Sequence, residues 1–261
     1  MKGGASGTGA DAPRTAVVTG ASSGIGVAIA ETMARLGWRV GVGARREDRL
    51  AEVGAKLRDA GGGAFCQRLD AADPRSVAAF FDAAEKEFGA IDVAVANAGS
   101  CIPGLAHELT PEDLRTEVTT NLLGPMYVAQ RALPGMIERG RGDLVFISSD
   151  VARAPRTFQA GYSAAKAGVE SFARVLALEL EGTGVRVATI RMGPTRSEFG
   201  RDWPPDLLRR MLASWKHFGL QRNLAVLAPE IVANAVVGAV TAPRGASTAI
   251  VELQPEGPTE T

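Results

Sequence analysis

Short apolar segments alternate with longer amphipathic segments along most of the chain. The apolar runs lie at residues 15–19, 39–42, 64–69, 91–96, 144–148, 185–190 and 248–253. Helical spacing of apolar residues occurs between them, at residues 26–36, 47–60, 74–88, 111–139, 160–181 and 229–240. Strands that are apolar on both faces are typical of a parallel sheet covered by helices on each side. The alternation therefore predicts an α/β fold, with one doubly wound parallel sheet of about seven strands in a single domain over residues 14–253.

The charge balance and hydropathy of the chain exclude several kinds of partner. Lysine plus arginine and aspartate plus glutamate both number 29, so no net field attracts nucleic acid or an anionic membrane. No stretch reaches the roughly 18 to 20 consecutive apolar residues of a transmembrane helix, and the N-terminal segment lacks the apolar core of a signal peptide. We therefore expect a cytoplasmic protein without nucleic-acid or membrane partners, with flexible tails at residues 1–13 and 254–261.

The two cysteines, Cys66 and Cys101, have no CxxC spacing and no neighbouring histidine cluster. This arrangement favours reduced, packed thiols over a metal site or a redox pair. We expect no bound metal.

A glycine-rich turn stands directly between the first predicted strand and the first predicted helix. It reads Thr19-Gly20-Ala21-Ser22-Ser23-Gly24-Ile25-Gly26. Glycines permit a tight turn, and the first N–H groups of a helix are free to bind a pyrophosphate. In this strand-to-helix context the turn predicts a dinucleotide site that includes Gly20, Ser22, Ser23, Gly24, Ile25 and Gly26.

The end of the second predicted strand indicates which dinucleotide is bound. In proteins that bind NAD, an acidic side chain at this position accepts from the ribose 2′-hydroxyl, but this chain has Gly43-Ala44-Arg45-Arg46 there. A guanidinium can bind a 2′-phosphate through charge-assisted bonds, whereas a carboxylate would repel it. The sequence therefore predicts NADP(H), with Arg45 as the first candidate for the phosphate contact and Arg46 as the second. Two solvated residues at a helix start are the alternative.

One of the two tyrosines has a lysine four residues further on in a predicted helix. This spacing places Lys166 on the same helix face as Tyr162, one turn later. An ordinary surface pair would show the same spacing, so the pairing by itself leaves its role open.

Taken together, these motifs resemble the short-chain dehydrogenase/reductase family in order and spacing, over residues 15–253. The resemblance is carried by the glycine turn, Asn97-Ala98-Gly99, Asn121, Ser148-Ser149 and Tyr162-Ser163-Ala164-Ala165-Lys166. It implies a Rossmann fold and an NADP(H)-dependent oxidoreductase, a ketoreductase or alcohol dehydrogenase, that interconverts a carbonyl and a secondary alcohol.

The resemblance implies a catalytic tetrad of Asn121, Ser149, Tyr162 and Lys166. Tyr162 would be the proton donor, and the nearby Lys166 ammonium would favour its phenolate. Ser149 would hydrogen-bond the substrate oxygen, and Asn121 would hold a water that links Lys166 to solvent. Ser148 is expected to face away from the site.

Further cofactor contacts follow from the same resemblance. Those positions are Asp70, Ala71, Asn97, Ala98, Gly99, Tyr162, Lys166, Gly193, Thr195 and Ser197. Two departures from the family pattern occur: Met192 stands where proline is usual before Gly193, and Ser197 stands where threonine is usual.

Residues 193–227 break the alternation, because prolines and aromatic residues lie among charges without a sustained period. Such an excursion is either a surface insertion or, as we favour, a lid over the active site. The apolar candidates for substrate contact are Met192, Trp203, Trp215 and Phe218, and the candidates for a substrate carboxylate are Arg153, Arg156 and Arg196. Residues 100–107 and 150–159 are expected to contribute to specificity, and His107 and His217 are expected to be surface or packing residues.

The resemblance also implies a homodimer or homotetramer, although Val169, Phe172 and Leu176 on the Tyr162 helix fit a monomer core equally well. Two other functions stay open at this point. One is an epimerase or dehydratase that uses a bound cofactor transiently, and the other is a nucleotide-sensing protein on the same fold.

Overall fold

The computed structural model describes residues 13–220 and 224–257; residues 1–12 of the predicted N-terminal tail and residues 258–261, half of the predicted C-terminal tail, lie outside the described residues. The strands are β1 (Thr15–Thr19), β2 (Arg39–Ala44), β3 (Gly63–Arg68), β4 (Val93–Ala96), β5 (Gly142–Ser149), β6 (Val185–Met192) and β7 (Ile250–Leu253). The helices are α1 (Gly24–Arg35), α2 (Glu47–Asp59), α3 (Pro74–Phe88), α4 (Pro111–Val118), α5 (Gly124–Glu138), α6 (Ala160–Glu179), α7 (Pro205–His217) and α8 (Pro229–Thr241).

The strands form one parallel sheet in the order β3-β2-β1-β4-β5-β6-β7. Every pairing in it is parallel, from Thr15 beside Arg39 in β1 and β2 to Met192 beside Leu253 in β6 and β7. The strand order reverses between β1 and β4, and in doubly wound sheets ligands bind in the crevice at the carboxyl ends of the strands there. The predicted fold class is confirmed.

Two apolar cores cover the two faces of the sheet. One contains α1, α2 and α8, with Ile29 and Val236 fully buried. The other contains α3, α5 and α6, with Phe80 and Met136 fully buried. Since both faces are covered, the central strands β1 and β5 consist entirely of buried residues, which is the origin of their continuous apolar runs.

The long helix predicted at residues 111–139 is two α-helices joined by a π-helical turn at Thr119–Leu123. Its start is fixed by a capping box, in which the Thr110 hydroxyl accepts from Asp113 N and the Asp113 carboxylate accepts from Thr110 N. Asn121 lies inside the π turn. Turns of this kind are frequent at functional sites.

Residues 193–227 contain a helix that the sequence analysis did not anticipate. Helix α7 covers Pro205–His217, begins with a proline in its first turn, and buries Met211. The two ends of the segment pair with each other through an isolated parallel bridge between Thr195 and Leu227. None of the helices in residues 13–220 and 224–257 is both long enough and apolar enough to cross a membrane.

Candidate active site

A cleft of about 1170 Å³ opens at the carboxyl ends of the central strands. Its walls come from the turn after β1, the ends of β2, β4 and β5, the start of α6, and residues 192–203. The predicted residues that line it are Gly20, Ser22, Ser23, Gly24, Ile25, Gly26, Arg45, Arg46, Asp70, Ala71, Asn97, Ala98, Gly99, Ser149, Tyr162, Lys166, Gly193, Thr195 and Ser197. Asn121 lies behind this wall. The fold thus brings together residues that are up to 177 positions apart in sequence, from Gly20 to Ser197.

The glycine turn is packed closely against the loop after β4. Gly20 has a φ of +68°, and a Cβ there would lie 2.6 Å from the Cα of Ala98. The Asn97 amide fixes this contact by donating to the Thr19 and Gly20 carbonyls at 2.9 and 3.2 Å. Any side chain at position 20 would force the two loops apart.

The amino end of α1 faces the cleft and suits an anion. Its N-cap residue, Ser23, makes no capping hydrogen bond through its side chain, so the first N–H groups of the helix keep their capacity to bind. Gly24 and Gly26 add no side chain that would cover them. The donor set therefore fits the pyrophosphate of a dinucleotide.

The two arginines after β2 are arranged differently. The Arg46 guanidinium donates to Ser22 Oγ at 3.0 and 3.1 Å and to Ser23 Oγ at 2.7 Å, and it forms an ion pair of 2.7 Å with Glu198. The exposed Arg45 side chain has no hydrogen-bond or ion-pair partner among the described residues. Arg45 is therefore free to meet an incoming anion, whereas Arg46 is already engaged.

Tyr162 and Lys166 share one face of α6, and both are buried beside the end of β5. The Lys166 Nζ lies 5.7 Å from the centre of the Tyr162 ring and donates to the Ile147 carbonyl at 2.8 Å. The Ser149 hydroxyl, which donates to Asp150 Oδ1 at 3.3 Å, also lies close enough to the phenol to lower its pKa. Hydroxyl, phenol and ammonium thus meet at one point of the cleft.

The pKa of Tyr162 lies above its ordinary value, opposite to the expected effect of Lys166. Burial of the phenol is the main cause, and the thiol of Cys101 adds to it. Burial also lowers the pKa of Lys166 to about 8, because the ammonium loses its hydration. The expectation that the Lys166 ammonium lowers the Tyr162 pKa is therefore not met, because burial of the phenol sets the direction of the shift.

The Asn121 side chain is fully buried, and its hydrogen bonds are made within the protein. Its amide donates to the carbonyls of Ser100 and Glu117 and accepts from Ser100 N. A Cβ on Gly99 would lie 3.0 Å from Asn121 Oδ1 and 3.6 Å from Lys166 Nζ. The Asn121 amide oxygen and the Lys166 ammonium therefore both lie beside the position that a side chain on Gly99 would occupy.

The adjacent serines at the end of β5 point in opposite directions, as successive strand residues do. Ser149 faces the cleft, while Ser148 Oγ donates to Glu170 at 2.8 Å beneath it. Glu170 also binds Arg191, so Ser148 belongs to a buried polar cluster outside the cleft.

Glu117 was missed by the sequence analysis because it occupies a core position. Its side chain is fully buried, and Oε1 accepts from Ile102 N at 3.0 Å. Its other oxygen lies against Gly161, directly before Tyr162, where any Cβ would collide with it. Burial raises the pKa of this carboxyl. Helical position alone would place Glu117 on the inner face, but it would not identify Gly161 as its neighbour.

The wall beyond Tyr162 is aromatic. The rings of Phe199 and Tyr162 are 5.5 Å apart, and those of Phe199 and Trp203 are 5.7 Å apart. Trp215, in α7, donates its ring N–H to the Thr157 carbonyl at 2.9 Å. Met192 also lines this side. Phe218 and the exposed His107 and His217 lie outside the cleft lining.

The arginines considered for a substrate carboxylate are mostly engaged. Arg156 binds Asp150 through two bonds of 2.8 and 2.6 Å, and Arg153 lies 3.4 Å from Glu252. Arg196 lies outside the cleft lining. The cleft wall beside Ser149 therefore carries balanced charge.

The predicted C-terminal tail begins too early. Gln254, Pro255 and Gly257 line the cleft, and a Cβ on Gly193 would lie 2.5 Å from the Gln254 side-chain oxygen. The residues that directly follow β7 therefore belong to the site wall.

The monomer core accounts for the three apolar residues of α6 that the sequence left open between core and subunit contact. Val169 and Leu176 are buried against the sheet, and Phe172 packs edge-on against Phe146 at 5.9 Å.

Comparison with known proteins gives one consistent result. The family model described as short chain dehydrogenase matches residues 14–207. The cis-4-hydroxycyclohexanecarboxylate dehydrogenase of Sinomonas cyclohexanicum is 38% identical over 246 residues, which cover 92% of this chain and 98% of that protein. The glycine betaine reductase ATRR of Emericella nidulans is 32% identical over 93% of this chain, but the match spans only 19% of that much longer protein.

A solved structure of similar shape is the alcohol dehydrogenase from the archaeon Thermococcus sibiricus, complexed with 5-hydroxy-NADP. It has a TM-score of 0.81 and 28% sequence identity, over 95% of this chain and 100% of the other.

Proposed function

The chain belongs to the short chain dehydrogenase family, and from that premise we propose that it uses NADP(H) to interconvert a carbonyl and a secondary alcohol. One observation carries the proposal. Ser149, Tyr162 and Lys166 line the same cleft as the glycine turn and the amino end of α1. A sensor that only binds a nucleotide would have no use for a phenol, a hydroxyl and an ammonium beside it.

The cofactor preference rests on the end of β2. The turn from Gly20 to Gly26 and the start of α1 would hold the pyrophosphate, and Arg45 would bind the 2′-phosphate, with Arg46 as a second contact. Asp70 and Ala71 would lie beside the adenine, Asn97, Ala98 and Gly99 along the adenosine side, and Gly193, Thr195 and Ser197 beside the nicotinamide. The NADP derivative in the similar alcohol dehydrogenase supports this preference.

The cofactor, when bound, supplies or accepts the hydride, and the side chains of the protein handle the proton. Tyr162 donates its phenolic proton to the substrate oxygen in reduction and withdraws it in oxidation. Ser149 donates a hydrogen bond to the same oxygen as negative charge develops there. Lys166 holds positive charge near the phenolate. Asn121, behind Gly99, would order the path by which the proton reaches solvent.

The substrate is proposed to be an uncharged or partly apolar ring compound. Phe199, Trp203 and Trp215 offer flat apolar surfaces next to Tyr162, and the arginines nearby are balanced by Asp150 and Glu252. The Sinomonas relative is named for a ring alcohol that also carries a carboxylate, and that name supports a cyclic substrate.

A screen of NADPH oxidation against cyclic and open-chain ketones, aldehydes and keto esters tests the activity. Turnover of at least one ketone by the wild type is expected. An absence of turnover in both directions across the panel would contradict an oxidoreductase role.

The cofactor preference is tested with Arg45→Ala. Hydrogen bonds to charged groups contribute about 1.5–3 kcal/mol, so KM for NADPH should rise roughly 10- to 150-fold. KM for NADH should stay within about two-fold, which makes NADH the internal control. A wild type that prefers NADH would overturn the preference.

The assembly is proposed to be a homodimer or homotetramer, by analogy with the family. Light scattering coupled to size exclusion measures the mass directly. A monodisperse monomer of 27.2 kDa would contradict it.

A further inference from the structure

The segment that follows β6 crosses the cleft as a strap, which we define as residues 197–203. Two neighbouring strap residues contact opposite ends of the site. Glu198 binds Arg46 at 2.7 Å, at the end of β2, and the ring centre of Phe199 lies 5.5 Å from that of Tyr162, at the start of α6, with the rings tilted. Both groups line the cleft. The strap therefore ties the position of Phe199 to the contact that Glu198 makes.

The groups that bind the Glu198 carboxylate form a site that suits an anion. Around its carboxylate, Arg46 supplies a guanidinium that is itself held by the hydroxyls of Ser22 and Ser23. Arg201 lies 3.7 Å from the other carboxylate oxygen. A guanidinium flanked by hydroxyl groups also suits a phosphate monoester, which carries more charge than a carboxylate. Glu198 thus occupies a position that the cofactor phosphate would favour.

The hydrogen bond from Arg46 lowers the pKa of Glu198, so this carboxyl is ionised at neutral pH. An ionised carboxylate and a phosphate cannot share one exposed guanidinium without strong repulsion. One of them must leave. An exposed ion pair is weak because solvent screens both charges, so the carboxylate is the weaker competitor.

We infer that Glu198 competes with the 2′-phosphate of the cofactor for Arg46, and that its displacement releases the strap from its position over Tyr162. This inference rests on the proposed NADP(H) preference. It adds Glu198 as a specificity-determining residue that works against cofactor binding. Binding of the 2′-phosphate therefore also moves Phe199, because Phe199 and Glu198 belong to the same strap.

Calorimetric titration with fragments of the cofactor tests the competition without turnover. The probes are adenosine 2′,5′-bisphosphate and adenosine 5′-monophosphate, and the proteins are the wild type, Glu198→Gln and the matched control Glu138→Gln. Glu138 is exposed at the end of α5 and outside the cleft, so its variant removes the same charge without touching Arg46.

The glutamine variant at position 198 should bind the bisphosphate about two- to five-fold more tightly than the wild type, because the competing ion pair is gone. Its affinity for the monophosphate should match that of the wild type, and the control variant should match the wild type for both probes. In an Arg46→Ala background the gain from Glu198→Gln should disappear. Equal affinity of Glu198→Gln and the wild type for the bisphosphate would overturn the competition.

The strap release has its own readout in Trp203, which packs against Phe199. The bisphosphate should shift the tryptophan emission of the wild type, the monophosphate should not, and Trp203→Phe should lose the shift. Tight bisphosphate binding with no change in emission would overturn the release. A wild type that binds both probes equally would instead reject the NADP(H) preference, and with it the competition, so the two failures are distinguishable.

Discussion

The floor of the cleft and the segment above it are built in different ways. The floor, formed by the ends of β1, β4 and β5 and the start of α6, consists mostly of buried or half-buried residues, and polar side chains there bond to backbone, as those of Asn97, Asn121 and Lys166 do. Residues 193–220 and 224–227 lie above it. Of the side chains in α7, Met211 is the buried one, and the helix is held at separate points by polar contacts.

This difference in construction indicates whether a substitution in each region should alter rate and stability or alter affinity. A closely packed floor holds reacting groups in fixed positions, so changes there should alter rate or stability. A segment held by a few polar contacts opens at little cost, so changes there should alter substrate or cofactor affinity and leave global stability intact.

The largest expected effect is on turnover, and it comes from a substitution in the floor of the cleft. Tyr162→Phe removes the phenolic proton, and loss of a general acid lowers turnover roughly 10²- to 10⁴-fold. Steady-state kinetics measures this change. Binding of NADPH, followed by fluorescence titration, should stay within about two-fold of the wild type, and near wild-type turnover would remove Tyr162 from the mechanism.

The next effect concerns the contact between Gly161 and Glu117. Gly161→Ala puts a methyl group into the buried carboxylate, and such overpacking costs about 1–3 kcal/mol of unfolding free energy in urea. Gly238→Ala in α8 is the matched control, because a Cβ there meets no atom within 4 Å. It should stabilise the protein by about 0.4–1 kcal/mol. Equal effects of the two substitutions would show that the floor is looser than described.

The buried lysine of the floor predicts a pH dependence of stability. The pKa of Lys166 is lowered to about 8 in the folded chain and is 10.5 when the group is unperturbed, so the unfolded chain binds more protons between these values. Stability of the cofactor-free protein should therefore rise with pH above about 8, by up to about 1.4 kcal/mol per pH unit from this group.

Urea unfolding of the wild type and Lys166→Met across pH 7 to 10 measures that difference. The methionine variant should lack the rise. Parallel curves for the two proteins would mean that Lys166 keeps its ordinary pKa. Above pH 10 the raised pKa of Tyr162 adds the opposite slope, because the folded chain then retains the proton.

The smallest effect is expected in the segment above the floor. Thr157→Val breaks the hydrogen bond of 2.8 Å between Thr157 and Ser214 that docks α7. One such bond contributes about 1 kcal/mol, so substrate KM should change about five-fold or less. Thermal unfolding should be unchanged, and Thr157→Ser should restore KM. A large drop in Tm would show that α7 is part of the cooperative core.

Local patterns predicted the floor better than the segment above it. Helix α3 begins and ends as expected, because Asp73 caps it, Pro74 opens it and Gly89 closes it with a φ of +80°. Helix α7 was missed although Leu208, Met211 and Trp215 recur in it at helical spacing, because prolines and further aromatic residues on both sides obscure the period.

Local sequence patterns could not predict contacts between residues that are far apart in the chain. No local rule pairs Glu198 with Arg46 or Glu117 with Gly161, since each pair depends on the final position of two loops or helices. The predicted direction of the shift in the Tyr162 pKa was wrong for a related reason. Spacing identified the neighbouring lysine, but depth of burial is set by the whole fold. The roles assigned to the tetrad stay predictions.

The π turn at Thr119–Leu123 sets the rotation of α4 about its own axis independently of α5. One added residue turns an α-helix by about 100° about its axis. The stretch with Glu117 is therefore rotated relative to α5, which packs against the sheet independently. Losing a single residue in this turn would swing Glu117 away from the start of α6 while α5 stayed in place. Backbone length at this turn, as much as any side chain, sets the alignment between the sheet and the helix that carries Tyr162.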